Sequence, residues 1–162
     1  MAYGVRLTDV LQFGRAGRLE TNMNQSLNAS NVLAFDRTKP PVARVLVVED
    51  EMLIALGLID MVEALGAFPV AASRPAKALA LLVEQTFDAA IVDMNLSNEP
   101  ADAILDALSA RAIPIVITTG YGPEAIAERY RSLPRLAKPY MPEHLEAALL
   151  SVLARSKLRS VG

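Results

Sequence analysis

Three short unbroken apolar runs constrain this chain more than any other feature. Arg44-Val45-Leu46-Val47-Val48, Ala89-Ala90-Ile91-Val92 and Ile113-Pro114-Ile115-Val116-Ile117 carry aliphatic, largely β-branched residues with no polar alternation. A strand with one wetted face alternates, so continuous runs of this length suit strands buried on both faces of a parallel sheet. Phe68-Pro69-Val70-Ala71-Ala72 is a weaker run, and its proline, which has no N–H to offer a neighbour, suits a sheet edge. Arg135-Leu136-Ala137 is a brief fifth candidate.

Helical stripes lie between the runs. Ile54, Leu58, Met61, Val62 and Leu65 form the first, which Gly66 stops. Ala78, Leu79, Leu82 and Val83 form the second, and Ala101, Ile104, Leu105 and Leu108 the third. Ile126 and Tyr130 predict a short fourth helix started by Pro123, and Leu145, Leu149, Val152 and Leu153 a last one after Pro142. All of these stripes are read as core. Strand followed by helix, repeated along the chain, predicts an α/β domain with a doubly wound parallel sheet and helices on both faces. Such sheets carry their sites outside the carboxyl ends of the strands.

The regular pattern occupies residues 44–154. Residues 1–43 have no period, hold Asn22, Asn24, Asn28 and Asn31 close together, and end in Lys39-Pro40-Pro41. They read as a flexible extension, with a docked short helix over 7–11 as the alternative and Met23 as an alternative start. Residues 155–162 read as a short basic tail. The net charge of -2 averages unlike parts: 44–154 carry eight basic and fifteen acidic side chains, while both flanks are basic.

Composition removes several chemistries. With no cysteine there is no disulfide, thiolate nucleophile or Cys-ligated metal. His144 is the one histidine, which leaves no multi-histidine metal site within the chain, and no GxSxG elbow accompanies it. A pI near 5.4 speaks against a strongly basic nucleic-acid surface. No long charge-free apolar stretch suggests a membrane span, and Arg6 and Asp9 interrupt the N-terminus where a secretory signal would be apolar, so the expected compartment is the cytoplasm. Neither a GxxxxGK[ST] nor a GxGxxG loop occurs, so nucleotide binding has no support.

The strand ends hold what chemistry remains. Glu49-Asp50-Glu51 follow the first run, Asp93-Met94-Asn95 the third, Thr118-Thr119-Gly120 the fourth and Lys138-Pro139 the fifth. Clustered carboxylates repel and need a cation or shifted pKa values. Oxygen donors without sulfur or imidazole select Mg²⁺ or Mn²⁺. A carboxylate can attack a phosphoryl group, with a divalent ion and Lys138 neutralising charge on the transferring group and Thr119 donating to a phosphate oxygen.

Four motifs at these positions, VLVVEDE (45–51), IVDMNL (91–96), ITTGYG (117–122) and LAKPY (136–140), resemble those of response-regulator receiver domains of two-component signalling. The resemblance covers about two thirds of the chain. It implies a flavodoxin-like, CheY-like sheet of five strands in the order 2-1-3-4-5. It implies Asp93 as phosphoacceptor and Mg²⁺ held by Glu49, Asp50, Asp93 and the backbone carbonyl of Asn95. It implies Thr119 as switch hydroxyl, Lys138 as partner of the acyl phosphate, and a cis peptide before Pro139. TTGYG is similar to the stand-alone receivers common in alphaproteobacteria, although Ile117-Thr118 replaces their aromatic-Ala pair. Arg135 stands where many receivers have an aromatic switch residue.

The expected function is therefore a single-domain receiver that is not an enzyme beyond its own phosphorylation and dephosphorylation. Its expected partners are a sensor histidine kinase or phosphotransfer protein, and a downstream protein target unless it serves as a phosphate sink; neither nucleic acid nor membrane is expected. The alternative is a receiver-like module that binds a partner independently of phosphorylation. A Mg²⁺-dependent phosphohydrolase is disfavoured, because an Asp-x-Asp after the first strand is absent.

Overall fold

The computed structural model describes residues 42–96, 99–122, 124 and 126–159, with backbone alone for 155–159. The expected extension, apart from Val42 and Ala43, lies outside these residues, as do the alternative helix over 7–11 and Met23.

The apolar runs become strands β1 (Arg44–Val48), β2 (Phe68–Ala72), β3 (Ala89–Asp93), β4 (Ile115–Thr119) and β5 (Arg135–Ala137). All neighbours pair in parallel, in the order β2-β1-β3-β4-β5. The expected order and the proline-bearing edge strand are both present. The stripes become α1 (Met52–Ala64), α2 (Pro75–Glu84), α3 (Asp102–Ala110) and α4 (Pro142–Arg159).

Alternation along the strands divides the core in two. Val45, Val47, Ala89, Ile91 and Val116 face Leu58 and Val62 of α1 and Leu145 and Leu149 of α4. Leu46, Val48, Ala90, Val92, Ile115 and Ile117 face Leu81 and Leu82 of α2 and Ile104, Leu105 and Leu108 of α3. Both faces of β1, β3 and β4 are thus covered, which is why their sequences do not alternate. Gly66 ends α1 at φ +75, a left-handed conformation that a Cβ would oppose.

Four details depart from the sequence reading. In α2 the buried pair is Leu81 and Leu82, and Val83 is 81% exposed. Ala-Leu-Ala-Leu-Leu-Val is apolar around most of the helix, so spacing alone allowed either register. β4 begins at Ile115, because Ala112, at φ 55, and Pro114 turn the chain just before it. Between β4 and β5, a 3₁₀ turn, Glu128–Tyr130, stands where the predicted helix would run, with Glu124 also in 3₁₀ conformation; Pro123 lies outside the described residues. That turn is held by burial of Ile126 and Tyr130 against the α2/α3 face. The backbone of α4 continues through Arg159, past the boundary drawn at Ala154.

Candidate functional site

Glu49 follows β1, Asp93 ends β3 and Lys138 follows β5, so parallel pairing carries all three to one rim. Parity places them on the α1/α4 side: Glu49 continues the Val45–Val47 alternation and Asp93 the Ala89–Ile91 alternation. Lys138 Nζ donates to Glu49 Oε2 at 2.9 Å and to Asp93 Oδ2 at 2.9 Å. Both carboxylates are buried, at 2% and 1% exposure. Such charges are tolerated only when paired, and one ammonium serves both.

The remaining carboxylate oxygens meet backbone. Glu51 N–H donates to Glu49 Oε1 at 3.2 Å, and Asn95 N–H donates to Asp93 Oδ1 at 3.2 Å. Burial pushes the Glu49 carboxyl upward, and the Asp93 charge adds to this, against the hydrogen bond from Lys138. For Lys138, burial acts against the charged form, but hydrogen bonds to Asp93 and Glu49 outweigh it and hold the ammonium above its ordinary range.

Asp50 joins the group. Glu49, Asp50 and Asp93 each offer a carboxylate oxygen, and these atoms lie within 4.8 Å of one another. Three oxygen donors at that spacing, two on buried side chains, fit a hard divalent cation. Thr119 is buried at the end of β4, and its hydroxyl accepts the Tyr121 N–H at 3.0 Å. Its carbonyl accepts the Lys138 N–H at 2.7 Å, which fixes the base of the lysine against β4. The Lys138–Pro139 peptide is cis. Asn95 is exposed, and it reaches the site through its backbone. The residues expected on the rim are therefore at one end of the sheet, and His144 and Arg135 are exposed.

The structure adds three features. Tyr140 is half-buried beside the lysine, and burial, opposed by Lys138 and reinforced by Glu49 and Asp93, raises its phenol pKa. With Lys138 and Pro139 it faces Ile54, Gly57, Leu58 and Met61 across an apolar groove of about 500 Å³. Ser73 and Arg74, which follow β2, line a polar cleft of about 430 Å³ with Asp50 and Glu99, so the edge strand also reaches the rim. Their types carry no motif, and only the fold brings them near Asp50. Lastly, Thr118 is fully buried beside Asp93 in the sheet register.

No family model matches the sequence. Among solved structures, SdrG from Sphingomonas melonis Fr1 is 38% identical, with a TM-score of 0.62 over 69% of this chain and 97% of SdrG. SdrG in its BeF3-activated conformation, from Pseudomonas melonis Fr1, gives 38% identity and a TM-score of 0.60 over 68% of this chain and 95% of that one. The response regulator PhyR from Brucella abortus is 29% identical, with a TM-score of 0.64 over 74% of this chain and 51% of that one. Among curated proteins, the phyllosphere-induced regulator PhyR of Methylorubrum extorquens is 28% identical over 115 residues, 67% of this chain and 43% of that protein. The chain thus spans about half the length of the PhyR proteins it matches. With a parallel 2-1-3-4-5 sheet, a carboxylate–lysine cluster at its rim and 38% identity across nearly all of SdrG, this chain belongs to the CheY-like response-regulator receiver domains.

Proposed function

We propose that this chain is a phosphoacceptor of two-component signalling, with Asp93 receiving the phosphoryl group. The observation that carries the reading is the Lys138 ammonium held 2.9 Å from both Asp93 and Glu49 in a buried cluster. The donor is a phosphohistidine on a sensor kinase or phosphotransfer protein. An Asp93 carboxylate oxygen attacks phosphorus, the N–P bond breaks, and its electron pair stays on the imidazole nitrogen, which takes up a proton. Asp93 is left as an acyl phosphate.

Glu49, Asp50 and Asp93, with the Asn95 carbonyl, would hold Mg²⁺. Bound there, the ion supplies positive charge to the equatorial phosphoryl oxygens. Lys138 provides a second cation from the end of β5, and it is pre-positioned because its backbone is bonded to Thr119. The Thr119 hydroxyl, whose oxygen accepts the Tyr121 N–H, keeps its own proton to donate to a phosphoryl oxygen. The chain then performs no reaction beyond its own phosphorylation and dephosphorylation, and its output is contact with a downstream protein or competition for phosphoryl groups. None of the helices among the described residues is long and apolar enough to cross a membrane.

Incubation with acetyl phosphate or a phosphorylated kinase and Mg²⁺, followed by intact-mass measurement, tests this. One phosphoryl mass on wild type, lost in Asp93→Asn, is expected. An unlabelled wild type, or equal labelling of Asp93→Asn, refutes it.

A further inference from the structure

β4 ends in two adjacent threonines with opposite circumstances. Thr119 continues the parity of Ile115 and Ile117, and its hydroxyl is engaged by the Tyr121 N–H. Thr118 continues the parity of Val116, toward α1 and α4, where Glu49, Asp93 and Lys138 also lie. Thr118 is 0% exposed, and its Oγ1 has no hydrogen-bond partner among the described residues. A buried hydroxyl without a partner is costly, and valine would fill the same volume without that cost.

Its position suggests what it is for. Thr118 is the register partner of Asp93 on the adjacent strand, about 4.8 Å away, the ordinary strand spacing. In the resting protein Asp93 has no need of it, because Oδ1 accepts from Asn95 N–H and Oδ2 from Lys138. On the proposed reading, acylation makes one Asp93 oxygen the bridge to phosphorus and leaves the other a carbonyl. The anionic phosphoryl oxygens then draw the Lys138 ammonium from its present acceptor. An oxygen of Asp93 is left short of a donor, and a buried hydroxyl lies beside it on the next strand, able to reach it by rotation about χ1.

We infer that Thr118 is a positioning residue for the phosphorylated state: its hydroxyl, idle at rest, donates to the Asp93 carbonyl oxygen that Lys138 releases. This rests on the phosphoacceptor reading and adds a residue to it. Thr118 acts on the acylated state alone, whereas Thr119 faces the phosphoryl oxygens.

The test is the affinity of the full chain for beryllofluoride, a stable phosphoryl mimic, with Mg²⁺, measured by titration calorimetry on wild type, Thr118→Val, Thr118→Ala and Thr118→Ser. Melting of the unliganded proteins is followed in parallel. Thr118→Val should melt at or above wild type yet bind beryllofluoride about tenfold more weakly, the worth of one hydrogen bond made in the liganded state alone. Thr118→Ala should lose affinity similarly, and Thr118→Ser should recover it. Equal affinity in wild type, Thr118→Val and Thr118→Ala, or a loss in Thr118→Ser as large as in Thr118→Val, overturns the inference and leaves the phosphoacceptor reading standing. A wild type that takes up neither beryllofluoride nor phosphoryl label overturns that reading itself.

Discussion

Replacing Lys138 by methionine keeps a similar volume while removing the charge that two buried carboxylates share. In Lys138→Met, Glu49, Asp50 and Asp93 face one another without the ammonium. The cluster's cheapest relief is to bind a proton. From an ordinary glutamate value of 4.5, holding one proton at pH 7 costs about 3 kcal/mol, and at pH 5.5 about 1 kcal/mol. The first figure agrees with the roughly 3–5 kcal/mol lost when one partner of a buried ion pair is removed. The sign follows from Glu49: its folded pKa lies above its unfolded value, so its contribution is most favourable at low pH and is lost as pH rises through the folded pKa. Removing the lysine deepens that trend. Urea unfolding of both proteins in magnesium-free buffer at pH 7 and pH 5.5 measures it. The expected loss is about 3 kcal/mol at pH 7, shrinking to about 1 kcal/mol at pH 5.5. A loss equal at the two pH values would mean that packing, not charge, is what Lys138 contributes, and the reasoning fails.

Two further outcomes follow from other parts of the fold. Tyr130→Phe removes a hydroxyl that donates to Asp106 Oδ1 at 2.5 Å and lies 3.1 Å from the Asp102 carbonyl, so thermal melting should report a loss of about 1 kcal/mol. Gly66→Ala forces a Cβ into a left-handed position at φ +75 while meeting no atom within 4 Å, so backbone strain alone should cost about 1–2 kcal/mol by chemical denaturation, with amide exchange in β1 otherwise unchanged.

The core strands and the site were legible for one physical reason. A strand buried on both faces must be apolar throughout, and the first polar residue after it must stand at the rim. Glu49 and Asp93 could thus be picked out before their neighbours were known, whereas the choice of Thr119 over Thr118 and the role of Lys138 came from the motif resemblance. Less legible were features that depend on rotation or on contact with distant chain. The choice between Leu81 and Val83 in α2 needed the packed partner α3, because the helix is apolar on several sides. Ser73 and Arg74 belong to no motif and reach the rim through β2's place beside β1. The predicted fourth helix failed because two apolar residues, Ile126 and Tyr130, are satisfied by a single turn as well as by a helix.

That turn changes how the rim is tied to the rest of the domain. A crossover helix would bury a stripe of its own, whereas here the chain between β4 and β5 is secured at Glu128–Tyr130 by α3. Arg129 pairs with Asp102 at 3.1 Å and with Asp106 at 3.4 Å, and its guanidinium lies 4.4 Å from the centre of the Tyr130 ring. The ion pairs are exposed and weak, so the hold comes chiefly from the buried Tyr130 ring and its hydroxyl. Among the described residues, the segment is bonded near both ends. At one end Thr119 Oγ1 accepts the Tyr121 N–H, and at the other Tyr130 reaches Asp106. Arg135, where an aromatic would couple the rim to the far side of the sheet in many receivers, is exposed on β5 and packs in neither core cluster. β5 thus carries no aromatic side chain, and among the described residues of the β4–β5 segment the buried aromatic is Tyr130, packed against α3.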